Sequence, residues 1–401
     1  MITQNCLHFC CQSGRIKSAI NLIDKATKPC GGKLVTNGAD IKKGWLAETV
    51  RSDLSWQVRL TPVQVEGFKA ALNQALAQNK PFLQMTTADF PLSADCLQAL
   101  SCARALTQGP WGFSLVKGFP VHQWTEEETR LAYWGIGLHL GVARPQNINS
   151  DYLTDVRDSG GQYHVKGGRG YNTRAKLDFH IDSGDVVGLM CRRTAKQGGQ
   201  SKITSSKAIY QAVKRLDPSL VSTLSQPICF SWQGAMARDD GPYFHCPVVD
   251  FKQDYFAFRF NLKNIIAAQR DFTEIPRLSE DQLRMIDLLE SLFPDPAYCY
   301  SMALEPGDLQ LVNNYHVIHS RTEFEDHEDP DLKRHLIRLW LCIPNCPAIP
   351  DSWAVQAKQT TANTLRGGLR GSHVSEAFLA FEQRQAKYHG LDATYYREHQ
   401  H

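Results

Sequence analysis

Leu177-Asp178-Phe179-His180-Ile181-Asp182 alternates apolar and polar residues, and after a short polar break it is followed by Val186-Val187-Gly188-Leu189-Met190. The period of two predicts a strand with Leu177, Phe179 and Ile181 on one face and Asp178, His180 and Asp182 on the other. The apolar run beside it predicts a buried neighbourhood, in which an imidazole and a carboxylate need a hydrogen bond or a metal ion as partner. Further strand-like stretches lie at 112–119, 228–233, 255–260, 299–304, 308–312 and 335–343. Helical periodicity appears from Pro62, which sits in the first turn of its helix, at 93–107, from Thr125 with Glu128 as a capping box, in SSKAIYQAVKRL, in SEDQLRMIDLLESLF and at 373–388. From about residue 155 strands dominate without regular βαβ alternation, so the expected fold is mainly β with flanking helices (α+β), an antiparallel sandwich or barrel carrying helices outside.

Composition narrows the partners. The chain has 401 residues, 42% hydrophobic, with 44 Lys and Arg against 41 Asp and Glu and a formal net charge of +3. That is ample for a core and gives no basic block to favour nucleic acid, so a small-molecule partner is expected. No apolar run approaches the roughly 20 residues of a membrane span, and the first 20 residues lack the order of a secretory signal; a cytoplasmic location is expected, with no membrane partner. A homo-oligomer is left open. Most of the 12 cysteines are scattered singly, which suits reduced thiols; Cys6, Cys10 and Cys11 with His8 cluster near the N-terminus, where free thiols are preferred to a zinc site.

His-x-Asp alone is a cheap pattern: it recurs at His327 and Asp329 in a charged loop. The C-terminal third adds more. In the strand RHLIRLWLCI, Arg334, Leu336, Arg338 and Trp340 share one face and His335, Ile337, Leu339 and Leu341 the other. Two arginines projecting one way from a core-like strand need an anion, and guanidinium matches carboxylate by its planar pair of donors. Two imidazoles and a carboxylate on one face of Fe(II) leave positions for a keto acid and O2. His180, Asp182, a later histidine and Arg334 supply such a set.

These motifs in this order, HID (180–182), GGQS (198–201), NNYHVIHSR (313–321) and RHLIR (334–338), resemble the taurine and 2,4-dichlorophenoxyacetate dioxygenase-like branch of the Fe(II)/2-oxoglutarate-dependent oxygenases. The resemblance extends over residues 100–345. It implies a distorted double-stranded β-helix (jelly roll), with residues 1–60 as an N-terminal extension, 61–345 as the oxygenase domain with helical insertions, and 346–401 as a C-terminal extension packed on it. It implies His180, Asp182 and His319 as iron ligands, Arg334 as partner of the distal 2-oxoglutarate carboxylate and Ser201 as a further contact to that co-substrate. His316 competes with His319, but three residues apart the two cannot share a strand face. His335 points away from Arg334 and reads as a packed, hydrogen-bonded histidine. Arg338 is then free for an acidic group of the primary substrate or for a structural carboxylate; Gln146, Asn147 and the loop HVKGGRGYNTR are candidates to line the substrate pocket. The implied activity is hydroxylation of a small molecule with Fe(II), 2-oxoglutarate and O2, releasing succinate and CO2. Desaturation, epoxidation or cyclisation would use the same ligands, and a metal-holding jelly-roll binding protein is the rival of another class.

Overall fold

The structure is a computed structural model that describes residues 43–235, 240–371 and 374–398. The N-terminal cysteine cluster lies outside these residues. Eleven strands form two sheets: β1 (Gln57–Arg59), β2 (Phe113–Lys117), β3 (Val142–Arg144), β4 (Leu153–Val156), β5 (Leu177–His180), β6 (Val186–Arg193), β7 (Ser201–Ser205), β8 (Cys299–Met302), β9 (Leu309–Asn313), β10 (Val317–Arg321) and β11 (His335–Cys342). The larger sheet runs β1-β2-β9-β6-β11-β3, with β4 also paired to β11; the smaller runs β8-β7-β10-β5. Pairing within both sheets is antiparallel, as expected, except at the edge, where β1 lies parallel to β2.

Alternation along the strands decides what each sheet face meets. Phe113, Val187, Cys191, Leu336 and Trp340 of the larger sheet join Ile203, Met302 and Val317 of the smaller in one buried cluster, so the sheets pack face to face. On the far side of the larger sheet, Met190, Leu311, Ile337 and Leu339 pack beneath the helices Pro62–Gln78, Ala94–Gln108, Glu126–Leu140 and Glu376–Tyr388. On the far side of the smaller sheet, Phe179 and Ile318 meet Ile209, Val213, Met285 and Leu289 of the helices Ser206–Leu216 and Glu280–Leu292. Each such apolar side chain contributes about 1.5–3 kcal/mol when removed from water.

The expected helices form with the expected caps. Thr125 and Glu128 make a reciprocal capping box, and Thr61 and Gln64 make another around Pro62. Sequence periodicity missed the short strands β3 and β4 and the helix Leu262–Asp271, whose N-cap is Asn261. Three or four strand residues are too few for a period to register, and a helix of 10 residues that buries only Ile265, Ala267 and Ala268 offers few apolar positions to read. Seven described cysteines are buried free thiols, in keeping with reduced thiols over a disulfide framework, and Cys102 is disulfide-bonded. No described helix is long and apolar enough to cross a membrane.

Candidate active site

β5 and β10 are neighbours, and their antiparallel register sets His180 opposite His319, with ring centroids 4.5 Å apart. Asp182 lies two residues past the end of β5. Its position is fixed by Asn314 in the β9–β10 turn: the Asp182 amide donates to Asn314 Oδ1 at 3.0 Å, and Asn314 Nδ2 donates to the Gly184 carbonyl at 2.9 Å. One ligand atom from each of His180, Asp182 and His319 falls within a 4.8 Å cluster, with His319 Nε2 3.7 Å from Asp182 Oδ2. Asp182 Oδ2 and His319 Nδ1 are buried without a hydrogen-bond partner.

The electrostatics suit a cation. Burial pushes the His319 pKa down to about 3, so its ring is neutral and offers a lone pair. His180 Nδ1 lies 2.8 Å from the Asp178 carbonyl, to which it donates, leaving Nε2 as the acceptor. Burial works to raise the Asp182 pKa, but Arg338, His319 and His180 hold it below the ordinary carboxylate value. A neutral imidazole at His319, a second imidazole at His180 oriented by the Asp178 carbonyl, and one buried carboxylate with an orphaned oxygen fit a divalent iron that leaves positions open for exchangeable ligands.

Two other groupings of acidic, histidine or cysteine ligand atoms among the described residues are already neutralised. Asp185, beside Cys342 and Cys346, binds Arg366 Nε at 2.7 Å and accepts from the Tyr315 hydroxyl at 2.9 Å. Asp155, beside Glu126 and His335, pairs with Arg130 and receives His335 Nε2 at 2.9 Å. His335 is thus packed and hydrogen-bonded as expected. His316 sits in the turn before β10, against Tyr255, and does not join the His180 cluster.

Arg334 and Arg338 both face the cavity that holds the three-residue cluster, as do Ser201 and Gln146. Arg334 is 5% exposed, stacks on Phe324 at 5.0 Å and has no carboxylate within ion-pair distance among the described residues. Gly199, at φ +68°, makes room for it: a Cβ there would come 2.9 Å from Arg334 Nε. Ser201 Oγ donates to Gln310 Oε1 at 2.9 Å. Arg338 leans on Asp182, with Nη1 3.3 Å from Oδ1, and its Nε donates to Gln146 Oε1 at 2.7 Å. Gln146 Nε2 in turn donates to the carbonyls of Tyr152 at 2.6 Å and Arg338 at 3.0 Å. Its amide is fully engaged in holding Arg338.

The sequence assigns no role to Asn314, Arg321 or Lys263, although Asn314 and Arg321 lie within NNYHVIHSR. In the structure Arg321 is 5% exposed, lines the cavity, donates through Nη2 to the Thr173 and Ala175 carbonyls and leaves Nε and Nη1 unpartnered. Burial, then Arg334, push its pKa down to about 9.

Residues 79–340 match the family model described as taurine catabolism dioxygenase TauD, TfdA family. FR-33289 synthase of Streptomyces rubellomurinus is 28% identical over 351 residues, spanning 84% of this chain and 98% of that protein. Uridine-5'-phosphate dioxygenase of an Amycolatopsis species is 27% identical over 231 residues, 53% of this chain and 78% of that protein. Asparagine oxygenase, solved with Fe(II), 2S,3S-3-hydroxyasparagine and succinate, shares the fold at a TM-score of 0.57 and 18% identity, over 72% of this chain and 93% of that one. The chain belongs to the TauD/TfdA family and is an Fe(II)- and 2-oxoglutarate-dependent dioxygenase.

Proposed function

We propose that the enzyme hydroxylates an unactivated C–H bond of a small molecule that carries an anionic group, at a centre formed by His180, Asp182 and His319. The observation that carries this reading is the convergence of those three ligand atoms on one cavity, with Asp182 Oδ2 and His319 Nδ1 left without protein partners. Bound iron with 2-oxoglutarate and O2 supplies the oxidising chemistry, which is the cofactor's and not the protein's. The protein's share is placement. Arg334, buried with no carboxylate in ion-pair distance among the described residues, is suited to clamp the distal carboxylate of 2-oxoglutarate through both its oxygens, with Ser201 lining the same cavity. Asn314 holds the loop of Asp182, and Gln146 holds Arg338 at the substrate side. The two packed antiparallel sheets, with the site between them, support the jelly-roll reading of the fold.

Retention of Asp182 favours hydroxylation, because all three protein ligand positions are filled by His, Asp and His. The name of one relative, uridine-5'-phosphate dioxygenase, supports an anionic substrate. The test is anaerobic reconstitution with Fe(II), followed by O2 and a panel of anionic metabolites: succinate release should match loss of one substrate with gain of one oxygen atom. Metal binding with no succinate release under any condition would instead identify a metal-holding binding protein.

A further inference from the structure

Among the described residues, the cavity around the proposed iron site is lined by six cations, Arg169, Arg259, Lys263, Arg321, Arg334 and Arg338, and by a single carboxylate, Asp182. Only Arg338 among the six has a carboxylate within ion-pair distance among the described residues, and that carboxylate is Asp182 itself. Fe(II) and a 2-oxoglutarate dianion cancel one another in charge, so loading the enzyme leaves the excess in place. Cations held in a half-dry cavity without counter-ions require an anion from outside.

Three of these groups line one stretch of the cavity around residues 168–171. Lys263 donates to the carbonyl of Gly168, the neighbour of Arg169, and Tyr171, two residues past Arg169, lies 5.7 Å under the Arg338 guanidinium. Lys263 lies over the Tyr163 ring at 4.6 Å, while Arg169 donates to the Gln233 carbonyl at 3.3 Å. Burial, then the charge of Arg169, push the Lys263 pKa down to about 8, and Asp178 works the other way. Lys263 also sits in the first turn of the helix Leu262–Asp271, whose N-cap Asn261 bridges to His180. The positive end of that helix therefore opens beside the proposed iron site. Trp232, 6% exposed, lines the same cavity with its indole N–H buried and unpartnered.

Resting on the function proposed above, we propose that Arg169, Lys263 and Arg338, with the N-terminus of the helix Leu262–Asp271, form a subsite for a doubly charged phosphorus oxyanion, the –PO3 head group of a phosphonate or a phosphate monoester. A carboxylate or sulfonate brings one negative charge. Three converging cations and a helix N-terminus suit two charges and three acceptor oxygens.

The test uses a matched series, propylphosphonate, propyl phosphate, propanesulfonate and butanoate, titrated calorimetrically into the protein loaded anaerobically with Fe(II) and 2-oxoglutarate. At least one of the two phosphorus compounds should bind about tenfold tighter than the sulfonate and the carboxylate. Preference between the two phosphorus compounds tells a C–P from an O–P substrate. Lys263→Met and, separately, Arg169→Gln should collapse the phosphonate-to-sulfonate ratio by about tenfold, and Lys263→Arg should restore most of it. Equal affinity for phosphonate and sulfonate, or an unchanged ratio in a folded Lys263→Met or Arg169→Gln variant, overturns the subsite. Uncoupled succinate formation from 2-oxoglutarate is measured on the same wild-type preparation: its absence sinks the oxygenase centre, whereas its presence with equal head-group affinities sinks the subsite alone.

Discussion

Asn314 does not line the cavity, yet it holds both sides of the loop that carries Asp182. Asn314→Ala should weaken anaerobic Fe(II) binding by about 10–100-fold, the usual effect of removing a group that orients a metal ligand. His180→Ala, Asp182→Ala and His319→Ala should each eliminate succinate formation. His316→Ala, in the turn and outside the ligand cluster, should leave Fe(II) affinity nearly unchanged; loss of iron in that variant with retention in His319→Ala would reassign the ligand. Gly199 sits at φ +68° with its missing Cβ aimed at Arg334 Nε. Gly199→Ala should therefore raise the KM for 2-oxoglutarate while leaving the Fe(II) titration intact, because strain and crowding both fall on the arginine and not on the proposed metal ligands. At this scale the sequence showed the chemistry of single residues well. It did not show Asn314 as a clamp, because its partners lie about 130 positions away, at Asp182 and Gly184.

Along β11 the alternation of period two separates two tasks. Leu336, Arg338 and Trp340, with Arg334 just before the strand, face the cavity, while Ile337, Leu339 and Leu341 enter the core beneath the helices. Arg334→Ala should raise the KM for 2-oxoglutarate steeply, and Arg334→Lys should rescue it only in part, since an ammonium cannot present the planar fork. Arg338→Ala should instead affect the KM for the primary substrate and the coupling of succinate to product; a 2-oxoglutarate defect confined to Arg338→Ala would reverse the assignment. At the strand's other face, Asp155 of β4 ties His335 of β11 to Arg130 of the helix Glu126–Leu140. Burial opposes its charge, but His335, Arg130 and Arg157 hold its pKa down to about 2. A depressed carboxylate pKa stabilises the fold above the unfolded value, near pH 4, and the contribution is lost as pH falls toward 2. Asp155→Asn should accordingly cost about 1 kcal/mol at neutral pH, discounted for partial exposure, and the wild-type and variant stabilities should converge in urea titrations taken toward pH 2. The sequence exposed the two faces of β11 because alternation is local. It was silent on β4, whose four residues gain their place only by pairing with β11.

Across the whole molecule, the segment after β11 closes the structure. Phe378 and Phe381 join the core beneath the larger sheet, and Arg144 of β3 forms a fully buried ion pair with Glu382 at 2.6 Å, to which Arg370 also donates. Leu369, hydrogen-bonded through its amide to the Pro145 carbonyl, reaches the cavity itself. Glu382→Ala leaves Arg144 buried without its partner and should lower stability by about 3–5 kcal/mol, read as the midpoint of chemical unfolding; a variant as stable as wild type would mean that water or another group compensates Arg144. The sequence by itself determined what is local and periodic: the helices with their capping boxes, the faces of the strands at 177–182 and 334–341, the His-x-Asp pair, and the family through motifs in order. Tertiary structure alone decided which groups meet. Only the antiparallel register of β5 and β10 brings His319 opposite His180, and only the fold gathers Arg169, Lys263 and Arg338 from segments far apart in the chain. A side chain's face follows from its neighbours in sequence, whereas its partner follows from sheet pairing and burial, which no local pattern encodes.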